Sequence, residues 1–160
     1  VKSYHQYRRQ TNDPIDLVLI GTAGYGWSES EKFINKNNLS DVVHVLGWQS
    51  DEVSNQIHIG AQAFVFISQY EGFGIPALTS LALSVPVLAS RHGSLPEVLG
   101  SAAYYVDTTV DSVSRGMATI TIDQDFRNKL IEQGRERSHL YSWDRTALLT
   151  KELLIKNTLA

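Results

Sequence analysis

Short apolar runs alternate with amphipathic stretches along the first two thirds of the chain. Each run has the length of a buried strand and leads into a turn-forming segment. The predicted strands are residues 17–20, 42–46, 64–67, 86–89 and 103–106. Because these runs are continuously apolar rather than alternating, we expect helices to cover both faces of the sheet. The pattern therefore predicts the α/β class, with a doubly wound parallel sheet.

The amphipathic stretches between the strands predict helices. These helices cover residues 1–10, run from Ser28 or Ser30 to about Asn37, begin again at Asp51, and cover residues 76–84 and 96–99. In the helix that begins at Asp51, the residues Val53, Ile57 and Ala61 are expected to face inward.

The two ends of the chain are also predicted to be helical. From Val110 onward the spacing of apolar residues is helical, with Gly134 as a weak interruption and Ser142 as the cap of a last helix. The first helix begins at Val1 with no Ser, Thr, Asp or Asn before it. This missing cap leads us to expect that the sequence is a piece of a longer protein.

The composition narrows the possible functions. Lys and Arg number 14 against 17 Asp and Glu, the net charge is −3, and the basic residues are scattered. Nucleic acid is not expected as a partner, because phosphate binding needs a basic face. The chain has no cysteine, and its histidines lack the spacing of metal ligands, so we expect no metal site. No signal peptide and no bilayer-spanning apolar run is visible.

A glycine-rich turn follows the first predicted strand, but it does not match a dinucleotide-binding loop. Residues 21–27 read GTAGYGW, with the spacing GxxGxG rather than GxGxxG. Gly47 follows the second strand, where a dinucleotide site needs a carboxylate for the ribose. We therefore interpret the segment as a flexible turn with positive φ angles.

Residues 68–76, SQYEGFGIP, form the most informative segment. Glu71 stands at the end of a predicted buried strand, where ligands bind in open α/β sheets. Two glycines allow close approach to the backbone, and the helix predicted to begin at Pro76 directs its N–H groups and dipole to the same place. This arrangement suits phosphate or pyrophosphate. The alternative interpretation is that the segment is only a tight turn with an exposed glutamate. In a similar segment, residues 91–97, we interpret Glu97 as serving the helix dipole.

Several of these segments resemble the C-terminal domain of the retaining GT-B glycosyltransferases of family 4, which includes bacterial polysaccharide mannosyl- and glucosyltransferases. The matching segments are residues 17–21, 45–48, 63–89 and 93–100, and the tail 141–143 fits the closing helix of that family. The EGFG-x-P loop between strand and helix is the most specific part. The resemblance covers nearly the whole chain. It implies that residues 1–160 form one Rossmann-like domain, the nucleotide-sugar-binding C-terminal half of a GT-B fold.

The resemblance places one carboxylate and several backbone groups against the donor. Glu71 takes the catalytic position and contacts hydroxyl groups of the sugar. The other binding residues that it implies are Gly21 for the diphosphate, Gln49 and Asp51 for the base, and the backbone amides of Gly72, Phe73, Gly74 and Ile75 for the sugar and diphosphate. It also implies retaining transfer from a UDP- or GDP-sugar with no metal or other cofactor, in which the protein positions the reactants and stabilises the leaving diphosphate.

Two departures separate this chain from the family pattern. The family has a glutamate pair spaced E-x7-E whose second member binds the ribose, and here Thr79, on the opening turn of the predicted helix, stands in its place. The turn that follows, usually a small residue and a glycine, reads Leu83-Ser84-Val85. The second departure is that the family's arginine and lysine that clamp the diphosphate belong upstream of Val1 and are absent from this sequence.

Three hypotheses remain open from the sequence. The chain is part of an active transferase in cell-surface polysaccharide synthesis, a degenerate donor-like domain with a scaffolding or regulatory role, or an unrelated flavodoxin-like or dinucleotide-binding domain. In the first case its partners are a nucleotide sugar, with Gly26 and Trp27 favouring GDP-mannose, and a saccharide or lipid-linked acceptor bound by a missing N-terminal domain. That protein is expected in the cytoplasm, associated peripherally with the inner face of the plasma membrane.

Overall fold

A computed structural model describes residues 1–12 and 14–158 of the chain. Strands and helices alternate as the sequence predicts. The elements are α1 (Lys2–Gln10), β1 (Leu17–Ile20), α2 (Trp27–Lys36), β2 (Val43–Gly47), α3 (Asp51–Gly60), β3 (Phe64–Phe66), α4 (Ile75–Ala82), β4 (Val87–Ser90), α5 (Leu95–Leu99), β5 (Ala103–Val106), α6 (Val110–Ile122), α7 (Gln124–Ser138) and α8 (Trp143–Thr158), with a 3₁₀ turn at Gly100–Ala102 before β5.

Every strand pairing in these residues is parallel, which confirms the predicted α/β, Rossmann-like architecture. β1 pairs with β2, with Leu17 opposite Val43. β4 lies between β3 and β5, so that Val87 has Phe64 on one side and Ala103 on the other. The hydrogen-bonded ladder therefore forms two groups, β1–β2 and β3–β4–β5, where the sequence predicts one sheet.

One apolar cluster packs against both groups of strands. It includes the buried residues Val43 of β2 and Leu88 of β4, with Tyr4 and Tyr7 of α1 and Ile120 of α6. β4 is buried along its whole length, as expected for a strand that is covered on both faces. The central strand thus provides a rigid base for the loops that follow β3 and β4.

One face of β1 is less covered than the sequence predicts. Val18 is 40% exposed and Ile20 is 36% exposed. α3, which connects β2 to β3, likewise has no buried side chain. Val53 is 43% exposed, so the prediction that it faces inward is wrong, while Ile57 is partly buried and Ala61 lies just beyond the helix.

Two predictions about helix ends and interruptions are also wrong. α2 begins at Trp27 with Gly26 as its N-cap in the left-handed conformation (φ 80°), so neither Ser28 nor Ser30 caps it. Gly134 does not interrupt α7. A Cβ at this glycine would lie 3.1 Å from a leucine side chain of α4, so the missing side chain allows α7 to pack closely on α4.

The ends of the chain are helical as predicted, although the break between the C-terminal helices lies at Asp123, the N-cap of α7, rather than at Gly134. α1 follows Val1 with no side-chain cap. At the start of α8, the backbone N–H of Arg145 donates to Ser142 Oγ at 3.1 Å. None of the described helices is long and apolar enough to span a bilayer.

Candidate functional site

The loops after β1 and β2 are joined by a backbone hydrogen bond. The N–H of Gly21 donates to the carbonyl oxygen of Gly47 at 2.8 Å, and the two glycines have φ angles of 126° and 67°. Residues with a side chain rarely adopt such angles. The side-chain amide of Gln49 donates to the carbonyl oxygen of Leu46 at 2.7 Å. The sequence-predicted residues Gly21 and Gln49 therefore lie at the carboxyl ends of two adjacent parallel strands.

Asp51 is the first residue of α3 and is exposed. The residue before it, Ser50, is the N-cap, and its side chain accepts a hydrogen bond from the N–H of Val53 at 3.4 Å. A carboxylate in this first turn stabilises the helix dipole. Within the described residues Asp51 has no ion-pair partner, and its contact with a base stays a prediction.

The loop after β3 is held by the loop after β4. Ser94 donates two hydrogen bonds to the carbonyl oxygen of Glu71, from its N–H at 3.3 Å and from its Oγ at 3.2 Å. Gly93 has a φ angle of 58°, and a Cβ there would lie 2.5 Å from the same oxygen. Ser90, at the end of β4, donates to the carbonyl oxygen of Ser68 at 2.5 Å. These contacts fix the Glu71 backbone and leave its side chain partly exposed.

Four consecutive backbone N–H groups in this loop have no hydrogen-bond acceptor among the described residues; they belong to Gly72, Phe73, Gly74 and Ile75. They lie at the start of α4. This helix begins at Ile75 rather than at the predicted Pro76, because Gly74 is its N-cap in the left-handed conformation (φ 88°). N–H groups at a helix N-terminus carry partial positive charge and bind anions. The predicted binding residues 72–75 are thus adjacent and present hydrogen-bond donors.

Two packing contacts support the same loop. A Cβ at Gly74 would lie 2.6 Å from the Cδ2 atom of Leu95, so this glycine packs directly on α5. The ring of Phe73 packs edge-on against Tyr141, with 5.6 Å between the ring centroids and 85° between the ring planes. Gly74 is buried, whereas Phe73 and Ile75 are 40% and 53% exposed.

Thr79 is partly buried on α4, and its hydroxyl has no hydrogen-bond partner among the described residues. Because α4 begins at Ile75, Thr79 lies at the beginning of the second turn, and its predicted place on the opening turn is wrong. The neighbouring Ser80 is fully buried. Its hydroxyl donates to the carbonyl oxygen of Pro76 at 3.0 Å and lies 3.2 Å from Nδ1 of His58. Ser80 therefore cannot take the place of Thr79 in ligand binding.

Two arginines lie near Tyr105 beside this loop. The Arg91 guanidinium is 4.7 Å from the centroid of the tyrosine ring, and the tyrosine hydroxyl donates to the carbonyl oxygen of Gly100 at 2.9 Å. Burial raises the pKa of Tyr105, and the charges of Arg91 and Arg137 oppose this shift.

In the part of the chain that the structure describes, no three His, Asp or Glu side chains are grouped so that they could hold a metal ion.

Two contacts of this loop have no clear signal in the sequence. Tyr141 is far from Phe73 along the chain, and no spacing pattern links the two residues. The contact of Gly93 with Glu71 has a partial signal, since a glycine before a short helix predicts a turn. The contact between this turn and the Glu71 backbone is seen only in the structure.

The fold and the loops at the carboxyl ends of its strands define a Rossmann-like α/β domain of the kind that forms one half of a GT-B fold. Residues 1–137 match the family described as "Glycosyl transferases group 1". The chain therefore belongs to this family. The third hypothesis, an unrelated flavodoxin-like or dinucleotide-binding domain, is thereby set aside.

Sequence relatives include two mannosyltransferases. The chain is 28% identical over 145 residues to O-antigen chain mannosyltransferase B of Escherichia coli, covering 90% of this chain and 38% of that protein. It is 32% identical over 126 residues to MMP alpha-(1->4)-mannosyltransferase of Mycolicibacterium hassiacum, covering 76% of this chain and 31% of the relative. The chain thus spans well under half of the length of each of these relatives.

Solved structures of low sequence identity share the fold. Sucrose-phosphate synthase from Thermosynechococcus elongatus superimposes with a TM-score of 0.84 at 24% identity, covering 99% of this chain and 42% of that one. Anabaena Alr3699/HepE, in complex with UDP and glucose, superimposes with a TM-score of 0.77 at 18% identity, covering 98% of this chain and 43% of that one.

Proposed function

We propose that the chain binds a nucleoside-diphosphate sugar at the carboxyl ends of its strands, as the donor-binding C-terminal half of a retaining glycosyltransferase. The observation that carries this proposal is the row of backbone N–H groups at residues 72–75 beside the Glu71 carboxylate. N–H groups at a helix N-terminus suit a diphosphate, and a carboxylate suits the hydroxyl groups of a sugar. The loops that carry Gly21 and Gln49 would receive the diphosphate and the base.

In the proposed reaction, Glu71 accepts hydrogen bonds from hydroxyl groups of the donor sugar and fixes its orientation. The acceptor hydroxyl attacks the anomeric carbon on the face from which the diphosphate leaves, so the configuration is retained, and the hydroxyl proton passes to the departing diphosphate oxygen. As the bond to the diphosphate oxygen breaks, negative charge grows on the leaving group. The amides of residues 72–75 and the positive end of the α4 dipole stabilise that charge. We expect no metal or other cofactor in this step.

The whole protein is proposed to build a cell-surface polysaccharide in the cytoplasm, at the inner face of the plasma membrane. The mannosyltransferase relatives and Gly26-Trp27 favour GDP-mannose as the donor, while the UDP held by HepE supports a UDP-sugar as the other candidate. A saccharide or lipid-linked acceptor would be bound by another domain. We expect this chain alone to transfer no sugar, because the acceptor hydroxyl must be held about 3–3.5 Å from the anomeric carbon by a second wall of the cleft.

Calorimetric titration of UDP, GDP, UDP-glucose and GDP-mannose tests the proposal. We expect one sugar nucleotide to bind more tightly than its free nucleotide in the wild-type chain, and Glu71→Ala to remove this difference because the carboxylate serves the sugar. Glu97→Ala is the matched control, since Glu97 is an exposed carboxylate in the first turn of the neighbouring α5. Failure of all four compounds to bind, or equal effects of the two substitutions, would contradict the proposal.

The second candidate function is a degenerate donor-like domain with a scaffolding or regulatory role. Thr79 favours it, because the family has a ribose-binding glutamate at this position and threonine is shorter and neutral. The same titration separates the candidates, since a domain that binds none of the four compounds at millimolar concentration has lost the donor site.

A further inference from the structure

Phe73 lies at the centre of the loop that carries Glu71, and its side chain points back onto the protein. Phe73 is 40% exposed as a residue, and its ring packs edge-on against Tyr141, which lies in the short connection between α7 and α8. The centroid distance of 5.6 Å and the interplanar angle of 85° are typical of a favourable aromatic pair. The contact joins the loop of residues 71–75, here called the donor loop, to a segment near the C-terminal end of the sequence.

Tyr141 is itself held in place by α7. The Nη2 atom of Arg137 donates to the tyrosine hydroxyl at 3.0 Å, and the guanidinium lies 5.5 Å from the ring centroid. The same arginine donates from Nε to the carbonyl oxygen of Val98 at 2.9 Å, and from Nη2 to that of Glu97. Because these carbonyl groups belong to α5, Arg137 connects α5, α7 and Tyr141 in one network.

The rest of the loop is fixed at two other points. The Glu71 carbonyl oxygen accepts hydrogen bonds from Ser94, and Gly74 packs on Leu95 of α5. Between these points, the N–H groups of Gly72 and Phe73 have no acceptor among the described residues. The pair of Phe73 and Tyr141 is the ring contact that lies between these two points.

We propose that Tyr141 is a positioning residue of the donor site. Its ring holds Phe73, and thereby orients the N–H groups of residues 72–74 toward the diphosphate before the donor arrives. This inference rests on the proposed function, because it assigns Tyr141 to the same site. Tyr141 touches no reacting atom; it lowers the cost of ordering the loop on binding, which is the way in which pre-organisation strengthens binding.

The test compares two substitutions of Tyr141 with a matched control. Tyr141→Leu keeps an apolar side chain but removes the ring edge, and Tyr141→Phe keeps the ring but removes the hydroxyl. Tyr104→Leu is the control, because Tyr104 forms a similar edge-on pair with Phe126 (5.1 Å, 87°) on β5 and α7, without a contact to the donor loop. Urea denaturation measures whether the two leucine variants lose comparable stability.

Two measurements are made on each variant. Backbone ¹⁵N relaxation gives the order parameters of Gly72, Phe73 and Gly74 without ligand, and titration with UDP and GDP gives the dissociation constants. We expect Tyr141→Leu to lower these order parameters and to weaken nucleotide binding by about fivefold. Tyr141→Phe keeps the ring pair with Phe73 and the guanidinium beside the ring, so both values should stay closer to those of the wild type than in Tyr141→Leu, and Tyr104→Leu should change neither. If Tyr141→Leu does not fold, Phe73→Leu removes the same ring pair from the other side.

The proposal is overturned if the order parameters in Tyr141→Leu equal those of the wild type, or if Tyr104→Leu weakens binding as much. The relaxation measurement needs no ligand, so it still decides the role of Tyr141 if the wild-type chain binds no nucleotide. In that case the proposed function fails, while lower order parameters in Tyr141→Leu would still show that Tyr141 orders the loop.

Discussion

Gly93 and the carbonyl oxygen of Glu71 are in such close contact that a Cβ on residue 93 would lie only 2.5 Å from that oxygen. Such a Cβ would also lie 2.9 Å from the Glu71 nitrogen. The φ angle of Gly93 is 58°, which disfavours any residue with a side chain. The loop after β4 therefore constrains the backbone of the residue that we propose to contact the donor sugar.

Gly93→Ala is expected to destabilise the chain by about 1–3 kcal/mol, because the new methyl group forces the two loops apart and the backbone is strained. We also expect weaker binding of sugar nucleotides, since Glu71 moves. Urea denaturation and calorimetric titration measure the two effects. Gly60→Ala is the control, because a Cβ at this exposed glycine meets no atom within 4 Å. A Gly93→Ala variant with wild-type stability would show that the contact is easily relaxed.

The opposite effect is expected for Ser84→Gly. Ser84 lies in the turn between α4 and β4 with a φ angle of 63°, where the family usually has glycine. Glycine relieves the strain of the left-handed conformation, which is about 1–2 kcal/mol. This gain is reduced by the entropic cost of glycine. It is also reduced by the loss of the exposed hydrogen bond that Arg135 Nε donates to Ser84 Oγ at 2.8 Å. We expect a net gain of about 0.5–1 kcal/mol in the free energy of unfolding, measured with urea.

Asn38→Gly is the matched control for this substitution. Asn38 also has a positive φ angle, 53°, but asparagine tolerates the left-handed region better than serine. We therefore expect it to gain less than Ser84→Gly. A larger gain at Asn38 would show that backbone strain does not explain the effect at Ser84.

Stability should depend on pH through His58. Its ring packs 4.7 Å from the ring of Phe64, and burial lowers the pKa of His58 below its usual value of 6.5. The unfolded chain then binds this proton more readily than the folded chain. The contribution of His58 to stability is therefore complete above about pH 6.5 and decreases as the pH falls from there through the lower folded pKa.

His58→Gln should flatten this dependence, because glutamine does not titrate and still has an amide that can reach Ser80. Urea denaturation at several pH values between about 7.5 and about 5 measures the slope. His139→Gln, at an exposed position after α7, is the control and should keep the wild-type slope. An unchanged slope in His58→Gln would show that other groups cause the pH dependence.

Local patterns were sufficient to predict the strands, because continuous apolar runs bounded by turns have few other structures. The two glycines around Phe73 and the carboxylate in the loop after β3 likewise indicated the loop that we propose as the donor site. The start of α4 was missed by one residue, because Gly74 adopts a left-handed conformation that sequence spacing does not reveal. Because α4 begins one residue earlier than predicted, Thr79 lies in its second turn rather than its first.

Tertiary relationships could not be predicted in the same way. The periodicity of α3 indicated that Val53 faces inward, but a periodic face becomes buried only if the helix packs against the sheet, and Val53 is 43% exposed. The contact between Phe73 and Tyr141 joins distant parts of the chain, and no local pattern encodes it. The part of the site that depends on long-range packing is thus visible only in the fold.

Thr79→Glu tests the assignment of the ribose position. The Cβ of Thr79 is tilted toward the N-terminus of α4, so a longer side chain there extends toward residues 72–75. A glutamate could accept two hydrogen bonds from a ribose diol, and hydrogen bonds to charged groups contribute roughly 1.5–3 kcal/mol each. Threonine is too short and is neutral. We therefore expect Thr79→Glu to tighten UDP or GDP binding at least about tenfold, or roughly 1.4 kcal/mol.

Thr79→Gln, with equal reach but no charge, should gain less, and Glu71→Ala should show no such gain. Titration of both nucleotides measures this. If Thr79→Glu binds no better than the wild type, the ribose assignment is wrong.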